Sequence, residues 1–306
     1  MQDRYALAYR MEITPNEDYI FLMKSQKVQM IDSTNCSVVH DFKLHNINRI
    51  TISGDGRFAA FALESPCSIL IYQLSDNYPL IMKISFPVIH CAIAEFINND
   101  VLIAAAGNVV YKITISTKKM EVIYTASEYA ICKSVVYDKE TGEALATFNF
   151  SSIAWEYPFI LVITDLSGAN SPSAYEYQFD QSYRKSLEYG IIEWAYFQSK
   201  DEVVIGKSGP IYDVLVVKIE NGTILPAKSK KYFHNSRRWF CSQRYRYYGV
   251  LFETENADVI TVESSVANKT IFHREFELNS VTFPSICEYS RYLLVPQRKS
   301  SSVFAL

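Results

Sequence analysis

"RITISGDGRFAAFALESPCSILIYQLSDNYPLIMKISF", residues 49–86, decides the fold. Short runs of β-branched, aromatic and aliphatic residues alternate with polar breaks: Gly-Asp-Gly at 54–56, Ser-Pro at 65–66 and Ser-Asp-Asn at 75–77. Hairpins use connections of about two to five residues rich in Gly, Asn, Asp and Pro, because only these reach the required turn dihedrals cheaply. The stretch therefore predicts four antiparallel strands in a meander. Helical periodicity is nearly absent from the rest of the chain.

The unit recurs. An apolar strand, a polar turn and a second apolar strand are found in "MEITPNEDYIFLM" (11–23), "ITISGDGRFAAFA" (50–62), "IAEFINNDVLIAA" (93–105) and "VVYDKETGEALATF" (135–148). They return in "WAYFQSKDEVVIG" (194–206), "FCSQRYRYYGVLF" (240–252) and "PSICEYSRYLLVP" (284–296). With each second strand set to start at Tyr19, Phe58, Val101, Ala144, Val203, Tyr248 and Tyr292, the steps are 39, 43, 43, 59, 45 and 44 residues. A period in the forties with four strands per repeat marks propeller blades. The two ends agree with this count. The last repeat lacks an outer strand after "SSVFAL", and spare strand-like residues, "QDRYALA" (2–8), precede the first. An N-terminal strand that completes the last blade would remove two free sheet edges.

On these repeats the chain resembles a WD-repeat-like, degenerate seven-bladed β-propeller over its whole length. Seven copies are found, with six or eight the alternatives. The expected architecture is all-β, a single propeller domain over residues 1–306, built of four-stranded antiparallel blades and closed by the N-terminal strand. The resemblance is one of architecture, since no Trp-Asp dipeptide and no Gly-His pair occurs. Asp32 and Asp165 end third strands where that family often has an aspartate. The resemblance implies a non-catalytic protein-interaction scaffold.

Bulk composition fits that class. The chain has 306 residues, 49% of them hydrophobic, with a formal net charge of −3 and a pI near 6.0. A net acidic chain argues against nucleic acid as the partner, because phosphate binding normally leaves a basic footprint. Six scattered cysteines without a C-x-x-C pair read as reduced thiols. No signal peptide is recognised in "MQDRYALAYR" and no long apolar run spans a membrane, so the expected compartment is the cytoplasm.

One stretch argues the other way. "AKSKKYFHNSRRWFCSQRYRYYGVLF", 227–252, holds seven cations and no acid, with aromatics interleaved. The repeat scatters it. Lys228, Lys230 and Lys231 fall on an outermost strand, where lysines guard a free edge. "HNSRR" becomes a connection on the upper face, "WFCSQ" an innermost strand and "RYRY" a turn on the lower face. Arg237 and Arg238 then lie on the face opposite Arg244 and Arg246.

The same plan assembles another cluster. The residues at the upper ends of the innermost strands are Arg10, Arg49, Cys91 (beside His90), Lys133, Glu193, Arg238 and Ser280. Four of the seven are cations, and around a channel mouth they would focus positive potential on an acidic or phosphorylated partner segment. The longest repeat adds two loops on that face, "FSSIAWEYP" (150–158) and "DQSYRKSLEYG" (180–190). They offer Trp155, Tyr157, Tyr183 and Arg184 as anchors, with Arg237 beside the ring.

Chemistry finds little support. The histidines 40, 45, 90, 234 and 273 show no metal-ligand spacing, and "GKSG" at 206–209 lacks the leading glycine of a phosphate loop, having Asp201 in its place. No cofactor motif is present. The alternative function is a sensor or enzyme that binds a small anionic ligand at the channel mouth, with His90 and Cys91 beside it.

Overall fold

The computed structural model describes residues 10–24, 27–88, 92–150, 158–166, 171–179, 191–199, 202–208, 213–220, 223–231, 236–241, 247–264, 269–277, 281, 285–287, 292–296 and 301–305. Among these the regular structure is strand, with no helix.

The strands follow one another in meanders. β1 (Arg10–Ile13), β2 (Tyr19–Lys24), β3 (Lys27–Asp32) and β4 (Val38–Phe42) pair in that order. So do β5 (Ile47–Ile52), β6 (Phe58–Leu63), β7 (Ser68–Gln73) and β8 (Leu80–Ser85). The third sheet holds β9 (Ala92–Phe96), β10 (Val101–Ala106), β11 (Val109–Thr114) and β12 (Lys119–Thr125). Next come β13 (Ala130–Asp138), β14 (Glu143–Phe150), β15 (Phe159–Thr164) and β16 (Ser173–Phe179). They are followed by β17 (Ile191–Ser199), β18 (Glu202–Ser208), β19 (Asp213–Glu220) and β20 (Thr223–Lys231). β21 (Ser236–Cys241), β22 (Tyr247–Glu253), β23 (Ala257–Ser264) and β24 (Lys269–Glu277) form another sheet. The last sheet has three described strands, β25 (Ser285–Cys287), β26 (Tyr292–Pro296) and β27 (Ser301–Ala305). Second strands start within one residue of every position expected from the sequence. The expected closing strand at 2–8 lies outside the described residues.

The local reasons are those of hairpins. Ser53 and Asp55 close the turn between β5 and β6: the Ser53 hydroxyl bonds the Asp55 carboxylate at 2.7 Å, and the Phe58 N–H donates to Ser53 Oγ at 2.9 Å. Gly56 supplies the positive φ of 71° that this turn needs. Asp32 performs the same service after β3, accepting from the Thr34 and Asn35 N–H groups at 2.8 and 3.2 Å.

Packing divides the chain into two compact units, Asn48–His234 and Met1–Ile47 with Asn235–Leu306. In the first, first strands of successive sheets lie side by side, β9 beside β13 and β13 beside β17. Cores form between facing sheets. Ile69, Ile71, Ala92, Leu102 and Ile113 fill one gap, and Val135, Phe148, Phe159 and Ile103 fill the next. Phe148 and Phe159 stack there with centroids 4.8 Å apart. Second strands are apolar along both faces because both are covered, as in "FAAFAL" and "VLIAAA". Outer strands are more exposed, as β8 and β12 show. In the second unit β25 lies beside both β1 and β21, and Leu251, Ile260, Val262, Leu293 and Val295 form the core between the last two sheets.

One join departs from the repeat. β16 pairs in parallel with β20 over Gln178–Thr223 and Phe179–Ile224, so two meanders share an eight-stranded sheet.

Candidate functional site

Each meander has an upper end, where its first strand begins, and a lower end, where that strand turns into the second. The residues expected to ring the upper ends behave differently from one another.

Arg49 is turned inward. It lies on β5 and is 6% exposed. One Nη donates to Glu95 Oε2 on β9 at 3.1 Å, and the other donates to the Val135 carbonyl on β13 at 3.2 Å. Its guanidinium thus ties three consecutive first strands, a task that suits a planar fork with several fixed donors. Expected at a channel mouth, it is instead occupied within the first unit. The signal in the sequence was Glu95, one acid inside the apolar run "CAIAEF", which had no assigned role.

Lys133 faces solvent. The β13–β14 register slips between Cys132 and Ser134, which leaves Lys133 as the extra residue of a β-bulge. Register also slips between Ile192 and Trp194 on β17, at Glu193, and between Ser236 and Arg238 on β21, at Arg237. A bulge re-aims one side chain away from the alternation of its strand. Three first strands thus carry an irregularity at a charged position in their first half, and β17 has a second between Phe197 and Ser199. In β21 it falls on Arg237, one residue before the expected Arg238. Both arginines belong to a strand that begins at Ser236. The connection expected over "HNSRR" is therefore shorter than the sequence suggested, because the bulge lets pairing start earlier.

The β17 bulge has its own support. Asn149, buried at the upper end of β14, donates from Nδ2 to the Ile192 carbonyl at 2.7 Å and accepts from the Ile192 N–H at 2.9 Å. The side-chain amide replaces a strand neighbour for the backbone beside the slip. Beside Lys133 the buried hydroxyls of Ser134 and Thr147 bond to each other at 2.8 Å. In the second unit the buried Asp258 accepts from the Val281 N–H at 3.0 Å.

Arg10 begins β1, opposite Met23. His90, Cys91, Trp155, Tyr157, Tyr183, Arg184 and Ser280 lie outside the described residues. Among the described residues no cluster of three or more His, Cys, Asp or Glu side chains could hold a metal ion. No helix among them is long and apolar enough to cross a membrane.

Neither a family profile nor a curated protein matches the sequence. Solved structures match the fold. The β-propeller domain of Cps50 (Swd1) from Myceliophteria thermophila superposes with a TM-score of 0.70 at 12% identity, over 98% of this chain and 97% of that one. Hydrazine synthase from Kuenenia stuttgartiensis gives 0.67 at 9% identity, over 100% and 97%. The WD40 repeats of RRP9 give 0.64 at 10% identity, over 95% and 87%. The fold is that of WD-repeat-like β-propellers, and at these identities the likeness is one of fold. Its neighbours include an enzyme by name, so the fold alone assigns no activity.

Proposed function

We propose that this chain is a non-catalytic docking platform, a single seven-bladed propeller over residues 1–306, whose first-strand cations bind an acidic or phosphorylated segment of a partner protein. Lys133 is the cation the reading rests on. It is exposed, charged and set on a bulge at the upper end of β13. Arg10, Arg237 and Arg238 are proposed to act alike on their own strands. Arg49 enters only as the residue that fixes β5, β9 and β13. Trp155, Tyr157, Tyr183 and Arg184 are the proposed anchors, on the chain segments that leave β14 at Phe150 and β16 at Phe179.

The repeat period supports the blade count, and near-complete mutual coverage with a solved β-propeller domain supports a single domain. Electrostatic docking supplies association rate and specificity, which suits a scaffold that must choose among partners. The test is affinity capture with wild type and with an Arg10→Glu, Lys133→Glu, Arg238→Glu variant, followed by mass spectrometry of both eluates. Loss of specific proteins by a folded variant supports the reading. Identical eluates contradict it.

A further inference from the structure

The fourth strand of a meander is a sheet edge, and among the described residues these edges share an irregularity. Met30 and Ile31, neighbours on β3, face His40 and Val38 on β4, which makes Val39 an extra residue. Ile81 is the extra residue of β8, Ile123 of β12, Ala227 of β20 and Ile271 of β24. Five of the six described fourth strands thus carry a one-residue bulge against their third strand. Its place changes, from the second residue of β4 and β8 to the fifth of β12 and β20. What recurs is the bulge and not its position.

β16 is the exception. Its six pairs with β15 run from Phe159–Gln178 to Thr164–Ser173 without a slip. It is also the fourth strand at which two described sheets join, through Gln178–Thr223 and Phe179–Ile224. On the β20 side that ladder meets Pro226, which has no N–H to give, and then the bulge at Ala227.

The outward N–H and C=O groups of an edge strand recur along it at a fixed spacing. An extra residue moves that alternation by one step and adds twist, so a straight partner strand cannot bond on both sides of it. These edges need such protection because they are partly apolar: Val38 on β4, Leu80 on β8, and Met120 and Val122 on β12 are exposed. An exposed apolar edge with an intact ladder is a pairing hazard.

We infer that the one-residue bulge is an edge guard built into these outer strands, and that β16 is regular because its edge is the clasp that joins the fourth and fifth meanders. Removing a guard should open an edge to other copies of the chain, and adding one to β16 should undo the clasp. The inference goes beyond the docking reading and does not depend on it.

Both directions are tested on the full chain. Deleting Val39 closes the β3–β4 ladder, since Val38 and His40 already face neighbouring residues. Val39 is 39% exposed, so little packing goes with it. At a concentration where wild type and the bulge-keeping control Val39→Ala sediment alike, the deletion variant should form larger species whose share grows with concentration. A serine inserted between Tyr177 and Gln178 gives β16 a bulge beside the join. Amide exchange at Thr223 and Ile224 should then quicken by about tenfold, while amides of β14 keep their wild-type rates. The insertion decides the matter even where the deletion fails to fold. A folded deletion variant that sediments as wild type does would overturn the guard, and unchanged exchange at Thr223 and Ile224 after the insertion would overturn the clasp.

Discussion

Arg49 and Glu95 form a buried ion pair at 3.1 Å, with side chains 7% and 6% exposed, that bridges the first strands of two neighbouring sheets. A charge taken out of water must be matched by close partners, and removing one partner of such a pair costs more than removing both. Arg49→Ala should therefore destabilise by about 3–5 kcal/mol in urea unfolding. An Arg49→Met, Glu95→Leu double variant should recover most of that loss. A mild effect of the single change would show that the pair does not hold the sheets.

Lys133 carries the same formal charge at the equivalent end of another first strand, but it is exposed on a bulge. Lys133→Glu should move stability by no more than about 0.5 kcal/mol, as surface changes do. Comparing its urea midpoint with that of Arg49→Glu separates a structural cation from one free to meet a partner.

Asn149 holds both polar groups of the Ile192 backbone, at 2.7 and 2.9 Å. Asn149→Ala strands a buried N–H and a buried C=O and should cost about 2–4 kcal/mol. Asn149→Asp keeps the acceptor but sets a buried carboxylate against the Ile192 carbonyl, so near neutral pH its cost should equal or exceed that of Ala. Hydrogen exchange at the Ile192 amide would locate the effect.

Burial, and then the hydrogen-bonded Glu176 carboxylate, push the Tyr124 phenol above its ordinary value. A raised value favours the neutral phenol in the folded chain. The stability it brings is complete below the ordinary tyrosine value of about 10 and is lost as pH rises beyond that. Wild type should exceed Tyr124→Phe in stability near neutral pH, and the gap should narrow above about pH 10. Tyr72 and Tyr111 are also raised by burial, but they are common to both proteins and cancel in the comparison.

The fold was legible because its signal is periodic. Turn chemistry at Ser53–Gly56 and doubly covered strands such as "FAAFAL" place second strands to within a residue, since a hairpin's register follows its turn. Individual side chains were less so. Arg49 and Lys133 look alike in sequence: each is a cation just ahead of an apolar run. One finds Glu95 across a gap of 46 residues, while the other is expelled by a slip in pairing. Neither a long-range partner nor a bulge leaves a local mark. The β16–β20 join was equally hidden, because it needs only two residue pairs and no motif.

The central claim is that an exposed first-strand cation binds an acidic segment of a partner protein. It is tested most directly by the salt dependence of the captured complex for wild type, Lys133→Glu and an outer-strand control, Lys83→Glu. Raising salt from 0.1 to 1 M shortens the screening length from about 10 to about 3 Å. Wild type and the control should release the same partner as salt rises, and Lys133→Glu should fail to hold it even at low salt. Retention by Lys133→Glu with an unchanged salt profile would contradict the account.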